Sequence, residues 1–220
     1  MEKIEELELL HKNDKKAVYE LDLTDIDVHN ITDMGCLFSD VLNGVKNPIR
    51  LNMSNWNTSN VVYMNHMFND CKTLIDLDLS NFNTSKVKYM NCMFYECVSL
   101  TELDLSNFDT SNVTDMSWMF KNCENLVKLN LSSFDTSKVN TMDRMFKECY
   151  LLPKLDISNF NISHVYVMEK MFEKCYSLKN LVLPIVSYNI FVNINKYDMF
   201  IDCPKLKDIP GWYKNPYKKK

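Results

Sequence analysis

The sequence predicts an α/β solenoid of about seven stacked units, each built from one short parallel strand and one helix. Three observations carry this. Met-Phe recurs every 26 residues at Met67-Phe68, Met93-Phe94, Met119-Phe120, Met145-Phe146 and Met171-Phe172. Leu-x-Leu or a close variant keeps the same step, starting at Leu51, Leu77, Leu103, Leu129, Leu155 and Leu181. Within each unit, a stretch of alternating apolar and polar residues precedes one with apolar steps of three and four. The common unit is L-x-L-S-x-F-[ND]-T-S-x-V-x-x-M-x-x-M-F-x-x-C-x-x-L-x-x.

Each element follows from this unit. Leu77-Asp78-Leu79-Ser80 alternates as a half-buried strand does. Asp109-Thr110-Ser111 offers helix N-cap side chains. Val113, Met116, Met119, Phe120, Cys123 and Leu126 then fall on one face of the expected helix. A lone unit cannot bury that face, so neighbours must stack, aligning their strands into a parallel sheet with apolar ladders inside. Residues 1–20 form the expected N-terminal cap, with a hairpin of strands Ile4–Leu10 and Ala17–Leu23. Residues 21–202 carry the repeats, and 203–220 a C-terminal cap ending in a basic tail, all within one domain.

The segment LDLSNFDTSNVTDMSWMFKNCENL, residues 103–126, resembles the bacterial surface protein 26-residue repeat, the BspA-like branch of the leucine-rich repeats. The resemblance extends over about residues 21–210. It implies a leucine-rich-repeat-type solenoid and a protein-binding role, often as a surface adhesin or lipoprotein. The pattern departs from that of surface members: Met1-Glu2-Lys3-Ile4 opens without a signal-like basic and apolar stretch, and no lipid-attachment cysteine lies near it.

Composition narrows the function classes. A net charge of −4 and a single basic run, Lys218 to Lys220, give no basis for nucleic-acid binding. No window approaches the roughly 18 apolar residues of a membrane span. Six of eight cysteines (Cys71, Cys97, Cys123, Cys149, Cys175, Cys203) share one repeat position on the apolar face, which predicts a buried ladder of reduced thiols. Cys36 and Cys92 share another position with His66, Trp118, Arg144 and Lys170, company that implies exposure. Without a C-x-x-C pair, a zinc cage is not expected. The methionines at helical spacing read as packing. Isolated Gly35, Gly44 and Gly211 exclude a phosphate loop, and the four histidines have no partner suggesting catalysis. We therefore expect no enzyme, cofactor or metal centre.

The outward strand positions are the informative ones. One column reads Asp22, Asn52, Asp78, Asp104, Asn130, Asp156, Val182, and the column before it Glu20, Arg50, Asp76, Glu102, Lys128, Lys154, Asn180. The face is acidic in its first half and mildly basic beyond. Three accounts compete: Asp and Asn bonding local backbone and serines, a site for a basic partner, and a divalent cation. The candidate partner-binding residues are Asp76, Asp78, Glu102 and Asp104. The expected function is an intracellular, non-enzymatic scaffold that binds a protein partner on a concave sheet. The alternative is a secreted or surface adhesin whose leader has been removed.

Overall fold

The computed structural model describes residues 17–39, 42, 45–185 and 194–209. Alternation of buried and exposed residues builds seven short strands among them: β1 (Tyr19–Asp22), β2 (Ile49–Asn52), β3 (Leu74–Leu77), β4 (Glu102–Asp104), β5 (Lys128–Asn130), β6 (Lys154–Asp156) and β7 (Asn180–Val182). Each belongs to one coil of the stack, and all pairings are parallel; Leu51↔Leu77, Leu103↔Leu129 and Leu155↔Leu181 keep the 26-residue step, with a register irregularity between Ile49 and Arg50 in the β2–β3 pair. The strands group as β1-β2-β3, β4-β5 and β6-β7, with no pairing between β3 and β4 or between β5 and β6. A second ladder of single-residue parallel bridges runs through Asp33, Tyr63, Tyr89, Asp115, Thr141, Val167 and Asn195.

The expected helix is absent: among the described residues the chain forms a parallel β-solenoid with no helix in any coil. Residues 116–123 show why. The amides of Trp118, Phe120 and Asn122 donate to the carbonyls of Asp143, Met145 and Lys147 in the next coil, at 2.8, 2.9 and 2.9 Å. The amides between them, Met119, Lys121 and Cys123, reach back only three residues, to Met116, Trp118 and Phe120. A helix would send both sets four residues back. Trp118 and Asn122 moreover hold φ of 61° and 60°, left-handed values that break a right-handed helix. The apolar steps of three record a chain of such three-residue turns, at Thr110 to Val113, Met116 to Met119, Phe120 to Cys123 and Cys123 to Leu126.

The Thr-Ser pairs are corrected with the helix. Thr110 is fully buried, and its hydroxyl donates to the Asp135 carbonyl at 2.9 Å while accepting from the Asp135 amide at 2.8 Å. Thr58 and Thr136 do the same with Asn83 and Asn161. These hydroxyls join coils. Asn81 and Asn107 extend the device, each donating its side-chain amide to three carbonyls of the preceding coil.

The core is the set of ladders the repeat implies. Phe38, Phe68, Phe94, Phe120, Phe146, Phe172 and Phe200 stack with centroids 5.2 to 5.6 Å apart and planes within 7° of parallel. The methionines fill the space beside them. All eight cysteines are free thiols, and the six of the ladder are buried. Each of those six thiols points to a phenylalanine carbonyl of the preceding coil, Cys123 to Phe94 at 3.1 Å and Cys149 to Phe120 at 3.2 Å. Burial pushes the Cys71 and Cys123 thiols up to about 12. Cys36 is exposed, whereas Cys92 is half-buried and its thiol is raised to about 11 by desolvation; the shared exposure expected of that position holds for Cys36 alone.

At the start of the described residues, the segment expected as a hairpin strand, Ala17–Leu23, contributes β1, which pairs in parallel with β2. The proposed partner strand Ile4–Leu10, the Pro210-Gly211 stop and the Lys218–Lys220 tail lie outside the described residues. No helix of the described residues is long and apolar enough to cross a membrane.

Candidate binding face

The strands leave one face of each coil to solvent, because Leu at alternate positions turns inward and the residue between turns out. Asp76, Asp78, Glu102 and Asp104, the four acids singled out from the repeat, line one depression of about 360 Å³ across β3 and β4. Lys128 and Asn130 complete its rim. The depression lies where β3 and β4 fail to pair.

The four acids divide into two pairs by what holds them. Asp78 and Asp104 each accept the amide two residues on, Ser80 and Ser106, at 2.9 Å. Those amides hold both carboxyls below the usual carboxylate range. The same turn occurs at Asp22, Asn52, Asn130 and Asp156 with the amides of Thr24, Ser54, Ser132 and Ser158. The middle column is therefore a turn-forming position that Asn fills as well as Asp. Asp76 and Glu102 are held across strands, with Arg50 at 3.6 Å and Lys128 at 3.0 Å. Exposed pairs of this kind are worth about 0–1 kcal/mol and exchange readily for an incoming charge.

A second depression, of about 320 Å³, opens where β5 and β6 fail to pair, and extends to β7. It is lined by Val127, Lys128, Leu129, Lys154, Asp156 and Val182 among others. Sequence reasoning saw the sign of its charge but not its apolar floor. Leu129 looks like every other strand leucine in the repeat, yet it is only partly buried.

The side of the molecule bearing the bridge ladder is aromatic and charged. Tyr63 and Tyr89 stack at 5.4 Å with 43% and 40% of their surface exposed. Trp118 is half-buried, with Lys121 4.8 Å and Arg144 5.3 Å from its ring, and its indole N–H donates to Asp143. Arg144 in turn pairs with Asp143 and with Glu169 at 2.9 Å. These charges are spent on one another. Among the described residues no group of three or more His, Cys, Asp or Glu converges in a way that could hold a metal ion.

Comparison with known families agrees with the repeat architecture. A family model described as "Mycoplasma protein of unknown function, DUF285" matches residues 6–126 and again 98–213. The two matches overlap, as an internally repetitive chain allows. No curated protein matches the chain.

Proposed function

We propose that this chain, which belongs to the DUF285 family, is a non-enzymatic protein-binding scaffold that receives a basic segment of its partner on the strand face. The observation that carries this is the gathering of Asp76, Asp78, Glu102 and Asp104 around one open depression. Two of the four keep their charge through backbone hydrogen bonds, and the other two are tied only by exposed ion pairs. A lysine or arginine arriving there meets fixed carboxylates without reorganising the coil. The BspA-like resemblance of the repeat supports the same reading, since protein binding is the role it implies.

The test is a titration with a fluorescent hexalysine peptide. Binding is expected to be saturable and to weaken as salt shortens the screening length from about 10 Å toward 3 Å. The quadruple variant Asp76→Asn, Asp78→Asn, Glu102→Gln, Asp104→Asn should keep its fold, because Asn already forms the same turn at positions 52 and 130. It should lose most of the binding. Equal affinity and equal salt dependence in the variant would mean that the acids serve only the turns.

A further inference from the structure

We infer that the depression across β5, β6 and β7 is a second docking subsite, fitted to a partner segment that presents an apolar side chain beside a carboxylate. The inference rests on the reading of the strand face as an interface and adds to it the chemistry of the other half. Four observations converge on this place. First, β5 and β6 do not pair, which opens the surface between them. Second, Leu129 in its lining is only partly buried, whereas Leu51, Leu77, Leu103 and Leu155 are 3 to 7% exposed. Third, Val182 interrupts the column of Asp and Asn that every earlier strand keeps, and it stands 49% exposed, with Val127 at 40% on the opposite rim. Covering apolar surface of this kind favours association.

The fourth observation is charge, and it selects the occupant. Lys154 projects from β6 into the depression and forms no ion pair among the described residues. Lys128 stands on the same rim with its one carboxylate, Glu102, on the far side in β4. Asp156, the acid of this depression, has an oxygen committed to the Ser158 amide at 3.0 Å. The site thus offers an apolar floor with an unpaired cation at its edge. A leucine-sized side chain with a neighbouring carboxylate satisfies both, and a basic segment does not.

The experiment uses the full chain with methyl-labelled Val and Leu. The probe is the peptide acetyl-Glu-Leu-Leu-Glu-amide, with acetyl-Lys-Leu-Leu-Lys-amide as counter-probe. Saturable shifts are expected at the Val127 and Val182 methyls with the acidic peptide. Val182→Asp restores the residue type used at Asp78 and Asp104, so the fold tolerates it. That substitution should weaken the acidic peptide by about 5-fold or more, the scale of 1 kcal/mol. Lys154→Glu should reverse the preference between the two peptides. Methyls that stay still, or a preference unchanged in Lys154→Glu, would overturn the inference. Hexalysine binding at β3 and β4 is read separately in the same spectra, so failure of this subsite and failure of the strand-face reading are distinguishable.

Discussion

Among the described residues, thirteen non-glycine residues with φ between 51° and 64° sit at recurring positions, including His66, Trp118, Arg144, Glu148 and Lys170. A side chain in that conformation costs about 1–2 kcal/mol, and it is tolerated where the residue's own amide bonds to the next coil, as at Trp118, Arg144 and Lys170. Lys170→Gly should therefore stabilise the protein by up to about 1 kcal/mol, net of the entropy glycine gains when unfolded. Its nearest acid, Glu169 at 3.9 Å, is too weak a contact to offset this; an unchanged urea midpoint would refute the strain argument. At Thr110 the opposite holds. Thr110→Val keeps shape but strips the Asp135 amide and carbonyl of their partner, costing about 1–3 kcal/mol, also read from the urea midpoint. The thiols give a pH dependence. The folded Cys71 and Cys123 thiols titrate at about 12 against an ordinary 9.0, because burial penalises the thiolate. The folded state thus keeps protons that the unfolded chain releases. Stability should hold below pH 9.0 and decline between 9.0 and about 12. Denaturant melts across pH 7–10.5 check this, and Cys123→Val should shallow the decline.

At the scale of the element, the place of the strand was legible in most coils and the rest of the coil was not. In the third coil the strand expected at residues 77–80 forms instead at Leu74–Leu77. Leu103-Asp104-Leu105 alternates, and the strand forms there. Val113 to Leu126 shows steps of three and four that suit a helix as well as a chain of three-residue turns. Side-chain periodicity cannot separate these, because both turn every third or fourth residue inward. The burial of Met116, Met119, Phe120 and Cys123 was read correctly from the repeat alone, since it depends on which residues face inward and not on the hydrogen-bond pattern. The site divides the same way: the acidic column needed only the repeat, whereas the breaks in strand pairing that open both depressions leave no mark in it. The phenylalanine ladder yields the element-scale prediction. Phe120 stacks on Phe94 and Phe146 at 5.5 and 5.6 Å, so Phe120→Ala should cost about 3–5 kcal/mol. Hydrogen exchange should show the loosening greatest in the coils on either side, and a uniform effect along the chain would contradict nearest-neighbour coupling.

Over the whole molecule, each coil makes short three-residue turns of its own, but its strand bonds, buried hydroxyl and thiol contacts and ring stacks join it to its neighbours. A single coil keeps only the turns. The peptide of residues 103–128 should accordingly show no ordered structure by circular dichroism, and folding in isolation would contradict the stacking argument. The one-way hydrogen bonds of residues 116–123 have a consequence of another kind. In each coil the amides of the Met116, Trp118, Phe120 and Asn122 positions point toward the following coil, and the carbonyls that receive them point back. Peptide dipoles of about 3.5 D each therefore add along the solenoid axis in this strip, as they do in a helix. The sense is reversed relative to a helix: the negative pole lies at the coil of Asp33 and the positive pole at the coil of Asn195. Within this strip the dipole grows with every coil added.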